Sequence, residues 1–278
     1  MKLFKTIVLT LASLLALSCS KEALPEHNEE LLTVQFGVSV DAPTKGLGDG
    51  KTANYVWYAL YRSNGTLVSE CAKPAKIDAD GKAICPVTMA RDQDYKVVFL
   101  AMYYEVNGDI KTPAYAISAL NKSVSMPDPA VANSDNYDLF YGVDEVVNFQ
   151  GAQSTNVQLN RIVAQINFEL GEAAWDNLAV TSAFQSSITI SNVPRTFDLF
   201  TGTISDDNGS TNFAKSLIPF EAGSRKIGTA YCLASSTGEQ KVEASISLYS
   251  ADGTTLVKTA SASTAPVAAN KQTNLIIN

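Results

Sequence analysis

Val157-Gln158-Leu159-Asn160-Arg161-Ile162-Val163-Ala164-Gln165-Ile166-Asn167-Phe168-Glu169-Leu170 is the stretch whose pattern decides the architecture. Up to Leu159 the apolar side chains fall on odd positions, Val157 and Leu159. Beyond Arg161 they fall on even positions: Ile162, Ala164, Ile166, Phe168 and Leu170. Alternation with period two is the mark of a strand, and a shift of one residue sends every side chain to the other face. Such a shift marks a bulge or a boundary between two sheets. We place a boundary here, which divides the body of the chain into residues 31–159 and 160–278.

Outward from this break, both halves read as short strands joined by turns. In the first half, Leu32 to Val40 puts Val34, Phe36, Val38 and Val40 on one face and Thr33, Gln35, Gly37 and Ser39 on the other. A Gly/Pro-rich loop, Asp41 to Lys51, follows. Tyr55–Tyr61, Leu67–Cys71, Ala83–Met89 and Tyr95–Val106 are further predicted strands, punctuated by Asn64-Gly65, Asp80-Gly81 and Asn107-Gly108. Residues 111–136 read as an irregular excursion with room for a short helix over Ala114–Leu120. Asp138–Gly142 and Val146–Phe149 are short apolar pieces.

The second half continues in the same style. Its predicted strands are Ser186–Val193, Thr196–Thr203, Lys226–Leu233, Lys241–Ser250, Thr254–Ala260 and Thr273–Ile277, with Ser205–Ser210 as a loop. No amphipathic helix longer than ten residues is apparent. Regular short strands with Gly/Asn/Asp turns predict an all-β protein built as two tandem antiparallel β-sandwiches.

The N-terminus carries a different message. Lys2 and Lys5 precede an apolar run from Ile7 to Leu17, broken by Thr10 and Ser13, and the run closes on Leu15-Ala16-Leu17-Ser18-Cys19. This predicts a secretory signal over residues 1–18 with a lipobox. Cys19 is the expected lipidation site, and residues 19–30 form a polar tether. More than one buried acyl chain gives stable anchoring, at about 0.8 kcal/mol per CH₂. The expected location is the outer membrane, facing the outside.

Composition narrows the functional classes. The chain has 278 residues, 46% of them hydrophobic and 18% charged, with a net charge of −7. It has no basic stripe, so nucleic acid is not an expected partner. Its one histidine, His27, lies in the tether, which excludes histidine-dependent triads and most zinc sites from the folded body. No motif for a carboxylate- or lysine-based enzyme is found, and no cofactor is expected. Asp78, Asp80, Asp128 and Ser205-Asp206-Asp207-Asn208-Gly209 lack EF-hand spacing and read as turn residues, so no metal site is expected. Besides Cys19 there are Cys71, Cys85 and Cys232. Cys71 and Cys85 flank a turn-rich segment, which allows a hairpin disulfide in an exported protein. The alternative is three buried thiols acting as small hydrophobes.

Several segments together carry a family resemblance: Pro86-Val87-Thr88-Met89-Ala90-Arg91-Asp92-Gln93-Asp94-Tyr95, Asn136-Tyr137-Asp138-Leu139-Phe140-Tyr141-Gly142, Val157 to Ile166, Val193-Pro194-Arg195-Thr196-Phe197-Asp198-Leu199-Phe200-Thr201-Gly202, and Asn270-Lys271-Gln272-Thr273-Asn274-Leu275-Ile276. In this order the chain resembles the fimbrillin-like family of the Bacteroidales, the subunits of protease-activated (type V) pili. Ser20-Lys21-Glu22 also resembles a surface-export signal of that order. The resemblance implies transthyretin-like, Greek-key sandwich domains and export as a lipoprotein. It implies assembly with other pilus subunits by β-strand addition after a protease removes the first strand. The removable strand would be Leu32 to Val40, with Val34, Phe36, Val38 and Val40 as its pocket-filling residues. The cut would fall at Lys45-Gly46, where the family usually has arginine.

The expected function is a fimbrial subunit or pilus anchor serving adhesion to a host or bacterial surface ligand. The alternative is a monomeric glycan-binding surface lipoprotein, with Trp57, Tyr103, Tyr104 and Trp175 as ring candidates unless they pack internally.

Overall fold

The computed structural model describes residues 30–40, 52–151, 155–178, 184–205, 208–218 and 223–277. Strand β1 (Leu31–Val40) alternates as its sequence requires, with Val34, Phe36 and Val38 buried. Strands β2 (Tyr55–Arg62) and β3 (Leu67–Glu70) form a hairpin. Gly65 takes φ +84° in its turn, a conformation natural to glycine. The strands β4 (Ala75–Lys76), β5 (Lys82–Ala90) and β6 (Tyr95–Met102) follow. The expected strand Tyr95–Val106 breaks at Tyr103, and its remainder, β7 (Tyr104–Asn107), turns away to pair only with β8 (Ile110–Pro113).

The excursion 111–136 is not irregular and Ala114–Leu120 is not helical. It contains β9 (Ala116–Ser118), β10 (Ser123–Ser125) and β11 (Ala130–Val131). The first short apolar piece lies in a strand, β12 (Leu139–Val146), which takes only Val146 from the second, and β13 (Thr155–Arg161) completes the first half. Its strands run in the order β3-β2-β6-β12-β13-β1-β5.

At the β12–β13 step the sheet turns a corner. These strands register only at Phe140↔Arg161 and Tyr141↔Asn160. A Cβ on Gly142 would lie 2.5 Å from Leu159 Cδ2, so glycine is what lets β13 peel away with Leu159 turned inward. Beyond the corner, β13, β1 and β5 fold back over β2 and β6. The layers enclose Phe36, Phe99, Phe140, Phe149, Met89 and Leu159.

A single residue, Ile162, separates β13 from β14 (Val163–Leu170). The two strands belong to different sheets, which is the physical content of the face shift in the sequence. The chain continues through α1 (Glu172–Leu178), β15 (Phe184–Pro194), β16 (Thr196–Asp198), β17 (Thr203–Ile204), β18 (Asn208–Ile218), β19 (Lys226–Leu233), β20 (Gln240–Tyr249), β21 (Leu256–Val267) and β22 (Gln272–Ile277). Thr196–Thr203 is therefore a tight hairpin rather than one strand. Asn208 onward is a strand rather than the end of a loop.

A five-stranded sheet, β11-β18-β15-β20-β21, faces a three-stranded one, β19-β14-β22. Gly228 permits that approach, since a Cβ there would lie 2.9 Å from Ile188 Cδ1 and from Ile246 Cδ1. The fold is thus an all-β sandwich architecture. Its two halves share material, because a small sheet, β17-β16-β10-β9, combines strands from both. A continuous core runs from Trp57 and Leu100 through Val124 and Phe197 to Ile166 and Ile246. Leu31–Asn278 forms one compact unit.

Candidate functional site

Two features merit a chemical reading: the slot that holds β1 and a cleft beside Arg161. β1 is an interior strand although it is the first strand of the described chain. It pairs antiparallel with β5 from Leu31↔Ala90 to Ser39↔Lys82, and parallel with β13 from Phe36↔Thr155 to Val40↔Leu159. Val34, Phe36 and Val38 are buried in the first core, and Val40 is half-buried at the end of the row. The Phe36 ring tilts against Phe99 at 5.5 Å. Burying each of these side chains is worth about 1.5–3 kcal/mol. On the outer face, Thr33 Oγ1 and Thr88 Oγ1 share a 2.9 Å hydrogen bond, and Ser39 Oγ donates to Gln158 Oε1 at 2.8 Å. Cys19, Lys45 and Gly46 lie outside the described residues.

The cleft lies where β13 hands over to β14. Behind its wall lies an ion pair of the lining residue Arg161: its Nε donates to Asp138 Oδ1 at 2.6 Å and its Nη2 to Oδ2 at 2.5 Å. Both side chains are essentially inaccessible, at 1% and 0% exposure. The guanidinium also lies over the Phe140 ring at 5.0 Å. Burial pushes the Asp138 carboxyl up to about 6, against the lowering pull of Arg161. Arg161 Nη1 reaches Asn270 Oδ1 at 3.4 Å, at the cleft wall.

The cleft encloses about 650 Å³. Tyr141, Gln158, Asn160, Phe197, Ser236 and Asn270 shape it. Tyr141 is fixed from several sides. Its hydroxyl donates to Leu199 O at 3.0 Å, and its ring meets Phe197 edge-on at 4.8 Å. Gly202, at φ +73°, backs onto the same ring.

The remaining expectations fall elsewhere. Cys71, Cys85 and Cys232 are free thiols, so the Cys71–Cys85 bridge is not formed. The two side chains are committed to different cores: Cys85 to the first, and Cys71 to the flank of the second. Cys71 Sγ accepts a 3.4 Å hydrogen bond from the Tyr58 N–H. Burial pushes Cys71 up to about 11 and Cys85 and Cys232 up to about 12.

The four ring candidates do not gather on a surface. Trp57 and Tyr104 are in the core, and Trp175 packs edge-on against Phe184 at 6.2 Å. Tyr103 is only half-buried, at the break between β6 and β7. Among the described residues, no group of three or more His, Cys, Asp or Glu is placed to hold a metal ion. Asp78 Oδ1 instead accepts from the Asp80 and Lys82 N–H groups, which is turn chemistry.

Comparison with solved structures finds similar chains in Bacteroides and Parabacteroides. One is a candidate adhesin from Bacteroides ovatus, at 13% identity and TM-score 0.49, covering 82% of this chain and 76% of that one. A candidate cell adhesion protein from Bacteroides ovatus is 8% identical at TM-score 0.47, covering 89% and 93%. A fimbrial assembly protein from Parabacteroides distasonis is 14% identical at TM-score 0.40, covering 87% and 88%. No curated protein matches this chain in sequence. A model for a family of unknown function, DUF6562, matches residues 30–276, and the chain belongs to that family.

Proposed function

We propose that this protein is a lipid-anchored, surface-exposed structural protein of an adhesive fibre: a fimbrial subunit or the anchor at its base. The observation that supports this reading is the seat of β1. A strand next to the signal and tether fills an interior slot between β5 and β13 and plugs the first core with Val34, Phe36 and Val38. Its departure would leave two facing rows of unpaired main-chain groups and three vacant side-chain pockets. A strand from another subunit offers matching hydrogen bonds and alternate side chains. Lys45, five residues beyond the last residue of β1, is the candidate cut. Cys19 is the candidate acylation site that ties the uncut chain to the outer membrane. On this reading the role is mechanical and adhesive, with no chemical turnover.

The test is intact mass and N-terminal sequencing of the protein taken from its own cells. A chain beginning at Gly46 without lipid identifies a polymerising subunit. One beginning at acylated Cys19 identifies an anchor that keeps β1. A chain that begins at neither position, and carries no lipid, overturns the proposal.

A further inference from the structure

We propose that the cleft beside Arg161 is a binding site for an uncharged oligosaccharide. A cavity of about 650 Å³ lies within the usual range for small-ligand sites, roughly 300–1,000 Å³. Its walls come from β12 and β13, the β16–β17 hairpin, and the segments around Ser236 and Asn270. The strands hold Tyr141, Gln158 and Asn160 on rigid backbone, which favours a preformed site.

The lining selects the ligand class by its charge. Among the described residues that line the cleft, Arg161 is the one ionisable group apart from the tyrosine hydroxyl. That guanidinium is engaged by Asp138 through two hydrogen bonds. An anion would compete with a buried carboxylate already in place, and a cation would find no carboxylate among the described lining residues. A neutral ligand meets neither penalty.

The rest of the lining discriminates among neutral ligands. Gln158, Asn160 and Asn270 each carry an amide donor and an acceptor, and Ser235, Ser236, Thr237 and Thr203 carry hydroxyls. A wholly apolar ligand would strip water from these groups and leave them unpaired, at about 1–3 kcal/mol each. Tyr141, Phe197 and Ile204 supply apolar surface beside them. A molecule whose edges are dense in hydroxyls and whose faces are C–H matches both components. Asn270 is already oriented: its Oδ1 lies toward Arg161 and its N–H donates to Val163 O at 3.0 Å. β1 supplies no residue to the lining, although its Ser39 holds Gln158 Oε1 from behind, so the site is tested in the full chain with β1 in place.

The experiment is binding of the purified full chain to immobilised neutral oligosaccharides: maltohexaose, cellohexaose, mannohexaose, chitohexaose and lacto-N-tetraose. Sialyllactose and a heparin hexasaccharide serve as charged counterparts. The expected result is binding to at least one neutral saccharide and none to the charged pair. Asn160→Ala is expected to weaken that binding at least ~5-fold, and Ser236→Trp, which fills the cleft from an exposed position, at least ~10-fold. Both exposed sites leave the melting temperature unchanged. Three results would each overturn the proposal: no neutral saccharide binds, the charged saccharides bind as well as the neutral ones, or binding survives undiminished in both variants.

Discussion

Arg161 and Asp138 show how one residue pair fixes a junction. The two side chains are buried, mutually bidentate, and placed at the step between the two sheet systems. Breaking a buried pair strands the surviving charge, at about 3–5 kcal/mol, whereas replacing both by apolar groups of similar size is often neutral or stabilising. Arg161→Met is therefore expected to lose about 3–5 kcal/mol in urea unfolding at pH 7, and Asp138→Leu/Arg161→Met to recover most of it. The pH dependence has a definite sign. The Asp138 carboxyl sits at about 6 in the fold against 3.8 unfolded. Between those values the folded state binds a proton that the unfolded chain does not. This group's contribution to stability thus falls as pH rises through that window, and Asp138→Asn abolishes the slope. Gly142 makes a second residue-scale prediction. A Cβ there meets Leu159 at 2.5 Å and the Gln158 carbonyl at 3.0 Å. Gly142→Ala should cost about 1–3 kcal/mol by overpacking, read in the same unfolding assay. Arg161 stood out in the sequence because it interrupts an apolar alternation. Asp138 was not legible as its partner, since it lies twenty-three positions earlier and no local pattern links the two.

At the scale of elements, legibility followed the hydrophobic pattern and failed where that pattern was diluted. β1 was readable because Val34, Phe36 and Val38 alternate with polar residues on a half-buried strand. β18 was not, because its stretch Asn208-Gly209-Ser210-Thr211-Asn212 is turn chemistry by composition and is held as a strand by pairing with β15. Over Ala114–Leu120, Tyr115 and Ala119 are four apart, a spacing compatible with the short helix expected there. Four is also an even number, so the same spacing fits a strand and its flanking turn, and both residues are buried in that form. The cleft left no local trace, since its walls come from five distant segments. β1 also carries an element-scale prediction. A chain beginning at Gly46 should lose its first core's closure, and a synthetic peptide of residues 31–40 should bind it and raise its melting temperature. A peptide with Phe36→Asp should not, because a buried unpaired carboxylate replaces the ring facing Phe99. Equal rescue by both peptides would show that main-chain pairing alone drives the exchange. The edge strand β5 is protected from uncontrolled pairing by Pro86, which removes a backbone donor between exposed Ile84 and Thr88. Pro86→Thr is expected to increase self-association in sedimentation velocity.

At the scale of the whole molecule, the tandem pattern in the sequence understates how closely the halves are joined. The sheet β2-β6-β12 is buried on both faces: Val97, Phe99 and Ala101 face the first core, while Val98, Leu100 and Met102 face the second. Strands β9 and β10, from the first half, pair with β16 and β17, from the second, through Val124↔Phe197. β11 pairs parallel with β18. Lys96 Nζ donates to Phe200 O at 3.1 Å and lies 4.6 Å from the Phe200 ring centroid. Removing the second half would expose Trp57 and Leu100, and removing the first would expose Phe197 and Leu199, in each case apolar surface that the remaining half cannot rebury alone. The chain should therefore unfold in one cooperative step despite its two sandwiches. The two tryptophans provide the probes, because Trp57 reports the shared sheet and Trp175 reports α1 against Phe184. Denaturant curves followed by fluorescence in Trp57→Phe and in Trp175→Phe, each checked against its own far-ultraviolet dichroism, should give coincident midpoints within each variant. A fragment of residues 31–161 should fail to give a cooperative transition. Separate midpoints for the two signals, or a fragment that melts sharply alone, would mean that each sandwich is stable by itself and that the small mixed sheet merely rests between them.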